Sequence, residues 1–311
     1  MSYAWPDDAA GKLPAQKRPR EDAGEPPPAK KRRRDPGEVR LFSANTCGFD
    51  AQKWKNIEKM ANDHDIDVIT LQEGTSKAEV DGIIGEDWES IVTSEKPTDL
   101  AIDGHRAVPS VGMARFNVAL RRKSASMTVS ERPYKPSESS RVKAYVTQGF
   151  QAPARAPGKR VVKQPERQTR IHDLGLRPPQ ALELTLPGHQ PVSIYNYHAP
   201  QGGGSSQGFS GMDAKQGHEV LSRVVQDDAT PHKIVVGDQN AHADNMRRFY
   251  PDQEVISAGG KDLLSHAAVS RGLKPKKIDL GTAGDAFNHK GQPGCSDHQP
   301  YAFSILLPEH K

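Results

Sequence analysis

This chain has little of what several protein classes require. Two cysteines in 311 residues are too few for the disulfide frameworks that hold small secreted domains together. The hydrophobic set makes up 34% and aromatics 6%, low values that imply stretches lying outside any core. No apolar run approaches the ~20 residues that span a bilayer, so no membrane association is expected. Residues Met1 to Asp8 lack both a basic start and an apolar stretch, so nothing there reads as a secretory signal. Acid is not in excess either. A formal net charge of +4 suits a polyanionic partner, though only modestly. Cys47 and Cys295 are expected to be reduced thiols.

Two parts of different character remain. Residues 1–37 are rich in Pro, Gly, Ala and charge with almost no apolar periodicity, so burial cannot offset their ordering entropy and disorder is expected. Residues 38–311 are long enough for one domain with a sizeable core. Within the tail, Lys17, Arg18 and Arg20 form one basic cluster and Lys30, Lys31, Arg32, Arg33 and Arg34 another. The spacer Glu21 to Ala29 separates them. This arrangement resembles a bipartite nuclear localisation signal, in which an extended segment places cations in two acidic grooves of an import receptor. It also fits a basic arm gripping nucleic acid.

The domain repeats one local pattern. Val39–Ala44 runs into Asn45, and Asp67–Gln72 into Glu73. Val192–Tyr197 runs into His198-Ala199-Pro200, and Lys233–Gly237 into Asp238-Gln239-Asn240. Each is a β-branched, apolar run ending at a polar residue, the pattern of a buried strand opening into a functional loop. Lys276–Leu280 carries Asp279 in an apolar setting. Last comes Cys295-Ser296-Asp297-His298-Gln299-Pro300, just ahead of the strand-like Tyr301–Leu306. A carboxylate beside an imidazole at a strand mouth can hold a divalent cation and move a proton.

The order Asn, Glu, His, Asp-x-Asn, Asp, Ser-Asp-His resembles the DNase I-like endonuclease/exonuclease/phosphatase superfamily over about Val39 to Leu307. Within it the layout is most similar to DNase I and the nuclease subunit of cytolethal distending toxins. The resemblance implies an α/β four-layer sandwich, with two packed mixed sheets flanked by helices and the motif loops gathered at one edge. It implies Mg2+ or Mn2+ held by Glu73 with Asn45 and Asp297. Both ions keep waters and need only one or two carboxylates. It further implies that Asp238 and Asn240 orient the attacking water and the phosphoryl oxygens. His198 and His298 form an acid/base pair suited by the ordinary imidazole pKa. Asp279 would fix the tautomer of His298, and Glu95 that of His198, with Glu89 and Asp87 as alternatives. Arg115 and Asn117, in Arg115–Leu120, and Arg177 resemble phosphate-binding positions. Gly74 and Gln239 depart from the family pattern at non-ligand sites, Gln239 standing where an aromatic is common.

From Arg141 to Arg170 a basic, Pro-interrupted insertion holds eight Lys or Arg against the single acid Glu166. Beside such a site it would neutralise backbone phosphates, or it is a solvated loop. The run Gln201–Ser205 is glycine-rich but lacks the Gly-Lys-Ser/Thr ending of a P-loop. Ala51–Asn62 places Trp54, Ile57, Met60 and Ala61 on one helical face, and Met212–Gln226 does so with Val220, Leu221, Val224 and Val225. The expectation is a monomeric, Mg2+-dependent DNA endonuclease acting in the nucleus, either a nuclear enzyme or a toxin-like effector. The alternative is a phosphoinositide phosphatase or sphingomyelinase-type phosphodiesterase of the same superfamily. A nuclear binding protein with a vestigial site is a third reading, and abasic-site repair and RNA deadenylation stay open.

Overall fold

Val39–Ala44 forms strand β1 (Glu38–Asn45) because its alternate residues meet two different apolar surroundings. Val39 and Leu41 point into one cluster, Phe42 and Ala44 into another, as the two-residue period of a pleated strand requires. The computed structural model describes residues 34–94, 116–132, 179–199, 212–259, 262–289, 292–296 and 298–310. The body they build lies within Asp35–Lys311.

After β1 come helix α1 (Ala51–Asp63), β2 (Val68–Gly74), α2 (Lys77–Ile83), β3 (Trp88–Ser94), β4 (Phe116–Arg122), β5 (Thr128–Glu131), β6 (Gln180–Thr185) and β7 (Val192–Asn196). The order continues with α3 (Met212–Asp227), β8 (His232–Asp238), α4 (Ala243–Phe249), β9 (Gln253–Gly259), β10 (Asp262–Ser270), β11 (Lys276–Ile278), α5 (Gly281–Phe287) and β12 (Tyr301–Leu306). One sheet has the order β11-β12-β1-β2-β4-β3 and the other β5-β6-β7-β8-β10-β9. Each holds a single parallel pair at its centre, β1 with β2 and β7 with β8, flanked on both sides by antiparallel strands.

The layers follow from which faces are apolar. Leu41, Val68, Ala119 and Phe303 from the first sheet pack against Leu182, Ile194, Val236 and Ala267 from the second, forming the inter-sheet core. The outer face of the first sheet packs on α1, where Trp54, Ile57, Met60 and Ala61 are buried as their spacing predicts. Asp50 caps that helix, its carboxylate accepting from Lys53 N at 2.8 Å. The outer face of the second sheet packs on α3 through Leu221, Val224 and Val225 and on α4 through Met246. This is the expected four-layer α/β sandwich of two packed mixed sheets.

A buried ion pair pins the second sheet at β5. Arg132 places Nη1 2.9 Å from Asp228 Oδ1 and Nη2 3.0 Å from Asp228 Oδ2, while the Tyr195 hydroxyl donates to Oδ2 at 2.7 Å. Burial alone would raise the Asp228 carboxyl. Bonds from Thr230 and Tyr195 and the Arg132 charge outweigh it and hold the pKa at about 2.

Candidate active site

Parallel pairing decides where the polar residues go. Two neighbouring parallel strands end on the same edge of their sheet, so β1 delivers Asn45 beside the Glu73 end of β2. In the second sheet β7 leads into His198 beside Asp238, the last residue of β8. The face-to-face stacking brings the two edges together. Asn45 Nδ2 donates to Asp238 Oδ2 at 3.1 Å, a bond between residues 193 apart in sequence. Strand β12 runs antiparallel to β1, so its start carries the Ser296 to His298 loop to the same edge.

The centre of the cluster is the Asp238 carboxylate, which is fully buried. Its Oδ2 lies 3.8 Å from His198 Nε2 and 3.7 Å from His298 Nε2. His198 Nε2 is also 3.5 Å from Glu73 Oε1. Two imidazoles and two carboxylates therefore converge on one edge. Ser296 ties the His298 loop to β1, its hydroxyl donating to Asn45 O at 2.7 Å and accepting from His298 N at 3.2 Å.

Backbone strain marks the same edge. Cys47, Glu73 and Asn240 are three of the five non-glycine residues with positive φ among those described. Such conformations cost roughly 1–3 kcal/mol each and persist only where the surroundings impose them. At Glu73 they do. The Glu73 carbonyl accepts from Thr46 Oγ1 at 3.2 Å and Gly48 N at 3.0 Å, and the β2–β4 register slips between Leu71 and Gly74. The bulge re-aims the carboxylate towards His198.

Below this rim the inter-sheet core changes from apolar to amide. Gln72 Nε2 donates to Asn196 Oδ1 at 2.7 Å, and Asn196 Nδ2 donates to Gln180 Oε1 at 3.1 Å and to Val118 O at 3.2 Å. Gln180 Nε2 in turn donates to Ile91 O at 3.0 Å. Asn117, buried on β4 beside the β2 bulge, keeps its carboxamide oxygen without a partner among the described residues, as does Gln72. Buried acceptors are normally satisfied, so this floor has capacity left for water or a ligand.

The structure places the other expected site residues as follows. Asn240 Nδ2 donates to Ala199 O at 2.6 Å and its N–H to Asp238 Oδ1 at 3.1 Å, so this residue braces the His198 loop against the Asp238 turn. Asp279 is exposed at the end of β11, its Oδ1 accepting from Gly281 N at 2.9 Å. Its apolar neighbours suggested a buried strand, but β11 stops at Ile278 and Asp279 turns the chain into α5. Glu89 lies at the far end of β3 and pairs with Arg121, and Asp87 precedes that strand, so neither reaches His198. Glu95, Arg115, Arg177, Asp297, Gln201–Ser205, the Arg141–Arg170 insertion and the tail cations Lys17 to Arg33 lie outside the described residues.

One candidate was missed. Asp262 opens β10, whose Ser265 pairs with Asp238, so this acid enters at the edge where β8 ends. Its signal in the sequence is an acid directly ahead of the apolar-rich run 263–269.

Among the described residues no three of His, Cys, Asp and Glu form a cluster able to hold a metal by themselves. Glu73, Asp238 and the Asn45 carboxamide are oxygen donors of the kind a hard ion takes while keeping several waters.

No family model matches the chain, and no curated protein matches it. Solved structures resemble it at low identity. An endonuclease/exonuclease/phosphatase family protein from Bacteroides thetaiotaomicron is 11% identical, with 89% of this chain and all of that chain covered and a TM-score of 0.49. The human Nocturnin catalytic domain is 11% identical over 87% of this chain and 95% of that one, TM-score 0.46. The AP endonuclease of Leishmania major is 12% identical over 88% of each, TM-score 0.45. The fold itself stands on the sheet order, the registers and the layer packing described above. The two-sheet sandwich with one parallel pair in each sheet is the four-layer fold that the sequence's resemblance to the DNase I-like endonuclease/exonuclease/phosphatase superfamily implies, and Asn45, Glu73, His198, Asp238 and His298 gather where those pairs end.

Proposed function

We propose that the chain is a divalent-metal-dependent phosphodiester hydrolase, and that its substrate is DNA in the nucleus of a eukaryotic cell. The observation that carries the chemistry is the convergence of His198 and His298 on the buried Asp238 carboxylate, with Glu73 on the other side of His198. Hydrolysis of a phosphodiester needs one group to take a proton from water and another to return one to the leaving oxygen. Two imidazoles serve both ends of that transfer, because an imidazole ring can accept a proton at one step and donate it at the next. Asp238, held by Asn45, orients whichever imidazole is protonated and stabilises its charge. Asn117 presents a carboxamide oxygen with no partner among the described residues, an acceptor suited to a water or the hydroxyl of a bound group.

Glu73 with Asn45 and Asp297 would hold Mg2+ or Mn2+, which would supply charge compensation at the phosphoryl oxygens. Substrate choice rests on the sequence. The tail cations and the Arg141–Arg170 insertion are cationic segments suited to phosphate backbones, and the tail's two clusters match the spacing an import receptor reads. The pairing of an import signal with toxin-like motifs supports delivery as an effector.

Supercoiled-plasmid cleavage tests the reading. Purified protein in Mg2+ should give nicked circles, and EDTA, His198→Ala or His298→Ala should each abolish them. A folded wild type that leaves plasmid intact but hydrolyses phosphoinositide or sphingomyelin would move the substrate to lipid. Import is tested by a tagged chain with Lys30 to Arg34 changed to Ala; equal nuclear signal in both forms refutes it.

A further inference from the structure

The turn Asp238-Gln239-Asn240 is gripped through its main chain by two side chains that the proposed chemistry does not use. His218, on α3, is fully buried beneath it. Its Nε2 lies 2.8 Å from Gln239 O and its Nδ1 3.3 Å from the Tyr250 hydroxyl. A carbonyl can only accept, so Nε2 carries the proton and Nδ1 accepts from Tyr250. The ring stacks on Phe249 at 5.8 Å and meets Tyr197 edge-on at 5.7 Å. Burial, opposed by the Gln239 bond and reinforced by the nearby His266, brings its pKa down to about 4, so the ring is neutral at physiological pH.

Tyr301 grips the turn from the inter-sheet side. Gly237 and His266 face each other across the β8–β10 ladder, yet the Gly237 N–H goes to the Tyr301 hydroxyl at 3.0 Å. That hydroxyl donates onward to His266 O at 2.6 Å, so it bridges the two ladder partners. Gly237 has a φ of 134°, and a Cβ there would lie 2.2 Å from Tyr197 O, so only glycine tolerates this opening of the strand. Gln239 completes the cradle. Its N–H donates to Leu264 O at 3.0 Å and its side-chain Nε2 reaches His266 O at 3.4 Å. The polar residue standing in place of the family's common aromatic thus belongs to a polar cradle.

We propose that His218 and Tyr301 are positioning residues, holding Gln239 O and Gly237 N so that the Asp238 carboxylate stays between His198 and His298. The proposal rests on the phosphodiesterase reading for its kinetic consequence but not for its structural one. Neither side chain lies within the two-imidazole cluster, so each acts through the turn.

The test uses the full chain with Tyr301→Phe, which removes only the hydroxyl, and His218→Leu, with His218→Gln as the variant that retains a donor. Misplacing a catalytic group by about 1 Å costs up to ~100-fold in rate. We expect kcat for plasmid cleavage to fall about 10- to 100-fold with KM nearly unchanged, and His218→Gln to recover part of the loss. Amide hydrogen exchange, which needs no activity, should quicken at residues 237–241 and not in β1 or α1. Unchanged exchange at 237–241 in both Tyr301→Phe and His218→Leu overturns the proposal whatever the activity. Undiminished kcat per folded molecule alongside a lowered melting temperature also overturns it, leaving a purely structural role. If the wild type cleaves nothing, the functional reading fails, while local quickening at 237–241 still supports the grip on the turn.

Discussion

Lowering the pH from 7 to 4 should destabilise this protein through His218 in particular. Its folded pKa of about 4 lies below the ordinary 6.5. Above pH 6.5 both folded and unfolded forms hold the ring neutral, and it contributes no pH dependence. Between 6.5 and 4 the unfolded chain binds a proton that the folded chain refuses, so stability falls as pH falls. Below 4 both forms are protonated and the loss is complete. A separation of about 2.5 units at 1.36 kcal/mol per unit gives a loss of roughly 3 kcal/mol. The groups facing the ring fit this direction: Tyr250 is buried and its hydroxyl pKa is raised, Tyr197 and Phe249 are uncharged, and the nearby His266 opposes a proton on the ring. Urea midpoints of wild type and His218→Gln at pH 7, 5.5 and 4.5 isolate the term, because the remaining histidines are common to both. The wild type should lose about 2 kcal/mol more than the variant between pH 7 and 4.5. Equal losses would refute the assignment of a buried neutral imidazole.

Three further outcomes are expected. Asp228→Ala should cost about 3–5 kcal/mol in denaturant unfolding, since it leaves the Arg132 guanidinium without its bidentate carboxylate in a mostly buried position. Gly237→Ala should abolish soluble expression or lower stability by at least ~3 kcal/mol, because the new methyl meets the Tyr197 carbonyl and φ is unsuited to an L-residue. Asp279→Ala should leave plasmid cleavage within about threefold of wild type. A loss of ~100-fold there would show that Asp279 reaches His298 in the working enzyme after all.

Much of this molecule is legible in local pattern. Periodicity places α1 to within a residue of its end, because Trp54, Ile57, Met60 and Ala61 share a face that must be buried. The strands carrying Asn45, Glu73, His198 and Asp238 show the same directness, since both their faces are covered and their apolar runs stop where the sheets end. The candidate site residues, and the phosphodiester chemistry proposed for them, rest on the resemblance that their types and order carry.

Tertiary structure decided what those residues face. Asn45 and Asp238 meet across two sheets although 193 positions separate them, and no local period encodes which edge of one sheet lies over which edge of the other. It ended β11 at Ile278, so that Asp279 turns the chain into α5, and it brought the start of β10, with Asp262, to the edge where β8 ends through an antiparallel register. It also gave His218 and Tyr301 their work. In sequence they are an ordinary helix histidine and an ordinary strand tyrosine. Only the packing of α3 beneath β8, and of β12 across from it, places both on the turn that presents Asp238. Periodicity reports which side of an element is apolar. Long-range pairing determines what that side, and the polar residue at its end, meets.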